Sequence, residues 1–181
     1  MGQIKVVIGS WGSYNECNER ALGSDWLDLS NYDTYEDIEE ELKKQGFELE
    51  GIDEELFIQD IEGIDTDCNW DYMHPQRLFE VLKESGVLDN SHKFETMEAY
   101  LECESFSAFE DLVNNSGTNW DDDIYLYKGY DWDDYGREYY EMCCYQVPSE
   151  IENFIDFDGY GRYIGDYYTQ EYSNGLIEIR R

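Results

Sequence analysis

Acidic residues are spread along the whole of this chain. Any fold that it adopts must leave most of these side chains in contact with water. The 181 residues contain 44 Asp and Glu against 12 Lys and Arg, which gives a formal net charge of −32 at pH 7. Residues 1–62, 63–120 and 121–181 carry net charges of −13, −9 and −10. An acidic tail would place the charge in one run, so this distribution indicates a negative field that belongs to the folded surface.

The apolar content provides enough material for a core. Hydrophobic residues make up 41% of the sequence and aromatic residues 17%, whereas disordered acidic proteins lack such groups. The negative field excludes direct binding to nucleic acid, and it disfavours an anionic membrane, which attracts clusters of Lys and Arg. Solubility and a high-salt habitat are alternative explanations of the acidity, although the aromatic residues and the five cysteines do not fit a high-salt composition.

The cysteines and the first residues predict a cytoplasmic protein. The start of the chain leads directly into a strand-like run without an apolar signal segment, and no stretch of about 18 apolar residues follows. An odd number of irregularly spaced cysteines is typical of reduced thiols rather than of a disulfide framework. The cysteines are Cys17, Cys68, Cys103, Cys143 and Cys144.

The sequence carries none of the common motifs for catalysis or metal binding. His74 and His92 are its two histidines, and neither CxxC nor HExxH is present, which argues against a zinc site. The phosphate-loop pattern GxxxxGK, the dinucleotide pattern GxGxxG and the nucleophile pattern GxSxG are also absent. We therefore predict a protein that is not an enzyme and that uses no catalytic residue, metal or cofactor.

Residues 1–63 are predicted to form an N-terminal α+β domain with the order β-β-α-β. Residues 4–9 and 56–60 have the composition of strands, and alternating faces over residues 24–29 predict another. The span between the strands at 4–9 and 24–29 is rich in Asn, Gly, Ser and Glu, and it is predicted to be a long exposed loop.

One helix is predicted in this domain, from a cap at Asp33 or Thr34 to about Gln45. Thr34 and Asp37 have the spacing of a capping box, and Gly46 ends the helix. Its inner stripe consists of Tyr35, Ile38 and Leu42. Its outer face carries like charges four residues apart, which cost about 0.2 to 0.5 kcal/mol each, so the excess indicates a demand for negative surface. These acids are Glu36, Asp37, Glu39, Glu40 and Glu41.

The rest of the chain is predicted to form a helical middle domain over residues 64–120 and a C-terminal α+β domain over 121–181. Apolar residues recur at helical spacing in the middle domain, with breaks at Gly86, Asn90 and Ser91. The C-terminal elements are a strand over 124–128, helices over 133–144 and in 147–162, and an antiparallel hairpin turned at 173–175. The fold class is therefore α+β, as a chain of small domains.

Residues 147–162 combine strong local signals for one amphipathic helix. Pro148 fits the first turn, and Glu150 and Glu152 suit its positive end. Gly159 and Gly161 loosen or end it. Ile151, Phe154, Ile155 and Asp158 follow at helical spacing.

The same segment resembles the antirestriction motif near the C-terminus of ArdA antirestriction proteins. The matching residues are Val147, Pro148, Ile151, Phe154, Ile155, Asp156, Phe157, Gly161 and Arg162. The first 63 residues are similar to the family too, through Ser13-Tyr14-Asn15, Leu22-Gly23, Trp26-Leu27-Asp28 and residues 55–63. Gln59 and Ile61 depart from the usual His and aromatic residue, and residues 64–120 show no recognisable family motif.

The resemblance implies an elongated, curved homodimer of three small domains per chain, whose gene is carried by a mobile genetic element. Its carboxylates imitate the phosphates of bent B-form DNA, and its target is the DNA-binding methyltransferase core of type I restriction-modification enzymes. By the same analogy the C-terminal domain makes the dimer contact. The residues assigned to the antirestriction motif and this contact are Val147, Pro148, Ile151, Phe154, Ile155, Asp156, Phe157, Tyr160, Gly161 and Arg162.

Thirteen acids are predicted to form the DNA-mimic surface, and we expect them to line one continuous face. They are Glu36, Asp37, Glu39, Glu40, Glu41, Asp60, Glu62, Asp121, Asp122, Asp123, Asp131, Asp133 and Asp134. Two chains would carry twice −32, or −64. At one duplex charge per about 1.7 Å this charge equals that of about 110 Å of DNA, or about 30 base pairs.

Two functions from other classes fit part of the sequence. A carbohydrate-active enzyme uses paired carboxylates beside aromatic residues, but such pairs arise by chance among so many acids. An acidic calcium-binding protein is the other, because acids alternate from Asp65 as in a calcium loop. The sixth position of that loop requires Gly and is Trp70, and the twelfth requires a bidentate acid and is Gln76.

Overall fold

The computed structural model describes residues 3–65 and 68–180, which form two compact units, Met1–Trp120 and Asp121–Arg181. Each unit has its own antiparallel three-stranded sheet, and the described residues are 49% helical and 17% strand. These proportions confirm the predicted α+β class. The division into three domains stays a prediction. Thr66 and Asp67, in the calcium-loop comparison, lie outside the described residues.

The sheet of the first unit is built around its first strand. Strand β1 (Lys5–Ser10) pairs antiparallel with β2 (Leu27–Asp28) on one side and with β3 (Leu56–Glu62) on the other. The β1 side chains after Lys5 are buried, as expected for a central apolar strand. The second strand is shorter than the alternation over residues 24–29 predicts.

The prediction of a long loop after β1 was wrong for the first part of that span, which forms helix α1 (Trp11–Glu16). The Ser10 hydroxyl accepts from the Ser13 amide and caps the helix. A Cβ on Gly12 would lie 2.0 Å from the Ile52 carbonyl oxygen, so glycine permits close backbone packing. The ring of Trp11 also stacks on Phe57, with centroids 4.1 Å apart. Tertiary contacts, rather than local propensity, make this segment helical.

Helix α2 (Tyr35–Lys44) matches its prediction closely. Thr34 and Asp37 form the reciprocal capping box, and Tyr35, Ile38 and Leu42 are buried as the inner stripe. Three further helices follow β3 in the same unit, where the apolar spacing predicts them. They are α3 (Pro75–Ser85), α4 (Ser91–Cys103) and α5 (Phe106–Ser116).

The core among these helices is aromatic. The Phe109 ring lies between Phe106, at 5.9 Å, and Trp120, at 4.9 Å, measured between centroids. Trp120 is almost fully buried, and its indole nitrogen donates to the Ser85 carbonyl at 3.0 Å. This bond satisfies the polar group of a large core side chain.

The sheet of the second unit has the strand order β4-β6-β5, all antiparallel. Strand β4 (Ile124–Lys128) has the predicted bounds, and β5 (Thr169–Tyr172) and β6 (Gly175–Ile179) form the predicted hairpin. Helix α6 (Trp132–Met142) packs on this sheet, where Trp132, Tyr135 and Leu176 form a core cluster.

Residues 147–162 do not form the single amphipathic helix that their pattern predicts. Helix α7 (Ser149–Glu152) is one turn long, and α8 (Phe157–Gly165) begins after a break and continues through Gly159 and Gly161. The Asp156 carboxylate accepts from the Gly159 amide at 2.9 Å and starts the second helix. Pro148 stands directly before α7 rather than inside its first turn. None of the helices in the described residues is long and apolar enough to cross a membrane.

Candidate functional site

The thirteen predicted mimic acids all reach solvent. Nine are exposed and four are partly exposed, namely Glu39, Glu41, Asp121 and Asp133. In the first unit they lie on α2 and on the second half of β3. In the second unit they lie before β4 and at the start of α6. Exposed carboxylates stay ionised at neutral pH, so each unit separately presents a negative surface.

On α2 the acids partly stabilise their own helix. The Thr34 amide and hydroxyl donate to the Asp37 carboxylate and lower its pKa. Glu41 pairs with Lys44 at 3.0 Å, and this pair lowers the pKa of Glu41. The acids near the helix start also suit its positive end. These contacts limit the cost of placing five acids on one short helix.

The acids at the start of α6 likewise cap their helix and form an ion pair within it. The Asp131 carboxylate accepts from the Asp134 amide at 2.9 Å and caps the helix. Asp133 pairs with Arg137 one turn later, and the pair raises the pKa of Arg137. The negative cluster is therefore compatible with a well-capped helix.

Most basic side chains form ion pairs with acids of their own unit. Seven that do so in the described residues are Arg20, Lys44, Arg77 and Lys83 in the first unit and Arg137, Arg162 and Arg180 in the second. Even complete pairing of 12 basic residues would leave a net charge of −32. The surface therefore stays strongly negative in each unit.

Two buried carboxylates hold structure together instead of facing a partner. Asp53 is fully buried and accepts from the Ser13 hydroxyl at 2.5 Å and the Glu48 amide at 3.1 Å, and its carboxylate lies 3.1 Å from Nε of Arg20. Burial alone would raise the pKa of Asp53, but these contacts lower it. Asp53 thereby fixes α1 against the segment before β3.

Glu178 on β6 has a similar role in the second unit. Its Oε2 atom accepts hydrogen bonds from the hydroxyls of Tyr127 at 2.9 Å, Tyr135 at 3.1 Å and Tyr139 at 3.0 Å, and Arg180 pairs with its Oε1 atom. Burial opposes ionisation, yet these donors lower the pKa of Glu178 below its usual value. Sequence reasoning missed this network, although the apolar neighbours of Glu178 in β6 indicate a buried acid.

The residues of the predicted antirestriction motif divide into exposed and packed groups. The exposed ones are Val147, Pro148, Ile151, Phe154, Asp156 and Arg162, while Ile155 and Tyr160 are half-buried. Phe157 is buried under the Tyr140 ring and the Arg137 guanidinium, which lies 4.2 Å from its centroid. Burial, followed by a hydrogen bond with Tyr145, raises the pKa of Tyr160 to about 12.

The end of the motif joins α8 to α6. A Cβ on Gly161 would lie 2.1 Å from the Trp132 carbonyl oxygen, and one on Gly136 would lie 2.1 Å from the Phe157 carbonyl oxygen. Arg162 pairs with Asp158 at 2.9 Å, and its guanidinium lies 5.2 Å from the Trp132 ring. Gly161 and Arg162 therefore have packing roles within the second unit.

Neither alternative function gains a site in the described residues. No group of three or more His, Cys, Asp or Glu residues within 3–65 and 68–180 has metal-holding geometry. A glycosidase acid requires a raised pKa in a cleft. Of the three buried acids among the described residues, Asp53 and Glu178 have lowered pKa values, and Glu110 is held in an ion pair with Arg77. Burial and the neighbouring Glu95 and Glu102 raise the pKa of Glu98, but this side chain is exposed on α4.

Comparison with known proteins identifies a family for this chain. No curated protein matches the sequence. The family model described as antirestriction protein (ArdA) matches residues 6–178, and this match includes residues 64–120, where no family motif is recognisable by eye. Because the match covers nearly the whole chain, this protein belongs to the ArdA family of antirestriction proteins.

Proposed function

We propose that the protein inhibits a type I restriction-modification enzyme by imitating bent B-form DNA and occupying the DNA-binding groove of its methyltransferase core. The family supplies the antirestriction function. The observation that carries the mimicry is the solvent exposure of the thirteen mimic acids in both units. A basic groove that binds duplex phosphates would be attracted to such a surface. The alignment of these acids into one face is part of the proposal.

The test is a competition for a type I methyltransferase between this protein and duplex DNA that carries the recognition site. Capture of the enzyme on the immobilised protein should be displaced by the duplex, and the protein should release bound duplex. Simultaneous binding of both ligands would contradict the mimicry, because it would place the protein outside the DNA groove.

Salt should weaken binding of the protein less than binding of DNA. DNA carries condensed counterions whose release gives a logarithmic salt slope of about −0.9 per neutralised phosphate. Carboxylates on a globular surface condense fewer ions, so direct pairing and shape contribute more to their binding. The measurement is the affinity of one methyltransferase for each ligand between about 50 and 200 mM salt, where DNA with many contacts loses about 10³ to 10⁵ in affinity. An equal slope for both ligands would refute this account.

We also propose that two chains associate through the second unit. Like-charged chains associate only if apolar burial outweighs their repulsion. Exposed apolar side chains cluster in sequence from the last residue of α6 to the break before α8. They include Met142, Tyr145, Val147, Ile151 and Phe154, and Phe154 is 86% exposed. Such a run is typical of a contact surface.

Phe154→Ser should shift the protein from dimer to monomer at micromolar concentration, because it removes the most exposed apolar side chain of this segment. Sedimentation velocity measures the change, and circular dichroism checks that the fold is kept. Tyr163→Ser is the matched control, since Tyr163 is 80% exposed but lies on α8 outside the segment. A wild-type monomer at this concentration would disprove the dimer, and an equal effect of both variants would disprove the assigned contact.

A further inference from the structure

A groove of about 480 Å³ lies between the start of α2 and the neighbouring α3 in the first unit. Four carboxylates surround it, from Asp33 and Glu36 beside the start of α2 and from Glu80 and Glu84 on α3. Glu80 and Glu84 are one helical turn apart, so both can face the same opening. The groove therefore concentrates negative charge in a concave site, which strengthens the field there.

Tyr35 lines this groove and carries an unsatisfied hydroxyl. The residue is 6% exposed, and its hydroxyl oxygen has no hydrogen-bond partner among the described residues. Burial, with the negative charges of Glu39 and Glu80, raises the pKa of this hydroxyl, which keeps it protonated. Buried polar groups in native proteins normally have partners, because losing water without compensation destabilises the fold. A partner from outside the chain would remove that cost.

The groove already holds one cation at its Asp33 end. The Lys83 ammonium lies 3.6 Å from Asp33 and 3.8 Å from Asp89, and it donates to the Tyr32 carbonyl at 3.2 Å. Among the other carboxylates of the groove, that of Glu80 accepts a hydrogen bond from the neutral side-chain amide of Gln76 at 2.7 Å. No ion pair reaches Glu36 or Glu84 within the part of the chain that the structure describes. The acceptor capacity of these three glutamates therefore exceeds what the protein uses.

We propose that this groove accepts an arginine side chain that the partner enzyme normally presents to a DNA phosphate. A guanidinium is planar, has five N–H donors and no acceptor, and is weakly hydrated, so it suits carboxylates beside aromatic rings. Here the carboxylates of Glu36, Glu80 and Glu84 can accept hydrogen bonds from the guanidinium, and so can the Tyr35 hydroxyl. The aromatic rings beside them are those of Tyr35 and Phe79. The inference rests on the proposed function and gives it one specific contact among many general ones.

Tyr35→Phe separates this contact from a structural role. Because the hydroxyl is buried without a partner, its removal should leave the melting temperature unchanged or raise it. Inhibition of a type I enzyme should nevertheless weaken about tenfold, the loss expected for one hydrogen bond to a charged group. A variant that keeps its stability and its full inhibitory strength would overturn the proposal.

The charge contribution is tested with two double variants that remove the same charge. Glu36→Gln with Glu80→Gln changes the groove, while Glu40→Gln with Glu62→Gln changes exposed acids outside it. The groove pair should weaken inhibition at least tenfold more than the control pair. Equal, modest losses would retain the DNA mimicry and overturn the arginine site. An inhibitor that never competes with DNA would instead overturn the proposed function.

A small probe tests the groove without any restriction enzyme. Acetyl-arginine-methylamide, titrated into the whole protein at millimolar concentration, should shift the ring resonances of Tyr35 and Phe79. The citrulline analogue, which has nearly the same shape but no charge, should not. Tyr35→Phe should weaken binding of the arginine probe, whereas Glu40→Gln should leave it nearly unchanged. Shifts that spread evenly over all acidic helices, or no shift at all, would overturn the inference.

Discussion

Replacing Gly161 with alanine is expected to destabilise the second unit by about 3 kcal/mol, at the upper end of the usual cost of overpacking. In an exposed helix the same change would stabilise by about 1 kcal/mol, because alanine has the higher helix propensity. Here the added Cβ would lie 2.1 Å from the Trp132 carbonyl oxygen and 3.1 Å from the Gly136 amide nitrogen. Both of these atoms belong to backbone, so neither can move aside cheaply, and α6 and α8 must separate.

Urea unfolding of the whole protein, followed by near-ultraviolet circular dichroism, measures this loss. Gly136→Ala should cause a similar loss, since its Cβ would meet the Phe157 carbonyl oxygen from the other side of the same contact. Tyr163→Ala is the control on α8, and its exposed side chain should make little difference. If Gly161→Ala were as stable as the wild type, the close packing of α6 on α8 would be wrong.

Gly161 also explains why the structure of residues 147–162 was only partly predictable. In isolation a glycine loosens or ends a helix, and this is what the sequence predicts at Gly161. In the fold, Gly161 lies inside α8 because its missing side chain lets the backbone of α6 approach. Gly12 lies in a span that the sequence predicts to be a loop, but it is part of α1 and packs on the carbonyl of the distant Ile52. Both contacts join segments that are far apart in sequence.

Local signals, by contrast, predicted structure well. The capping box of Thr34 and Asp37 and the tight turn before Gly175 involve residues within a few positions of each other. The exposure of the mimic acids follows from charge alone, because ionised side chains rarely stay buried without partners. The groove beside Tyr35 was not predictable in this way, since α2 and α3 bring its acids together only in the folded unit.

Removal of the Glu178 carboxylate is the second change with a large expected effect. Glu178→Ala should cost about 4 kcal/mol, because it leaves three tyrosine hydroxyls and Arg180 without their shared acceptor. Glu178→Gln should cost less, since an amide oxygen still accepts hydrogen bonds, but it loses the charge that Arg180 pairs with. Circular dichroism and urea unfolding of the three proteins at neutral pH would give this order.

The pH dependence distinguishes the charged network from simple packing. The donors around Glu178 lower its pKa below that of an ordinary glutamate. Its contribution to stability is therefore fully present above the ordinary glutamate pKa and is lost as the pH falls through the lowered pKa of the folded protein. The free-energy difference between wild type and Glu178→Gln should therefore be constant from pH 7 to about 5 and shrink in more acidic solution. Because the wild type and the variant share the other 43 acids, the difference between them largely cancels the titration of those acids. Glu141→Gln, an exposed change on α6, is the control for removing one carboxylate from the same unit. A difference that stayed constant through pH 3 would mean that Glu178 stabilises the unit by shape and neutral hydrogen bonding, without its charge.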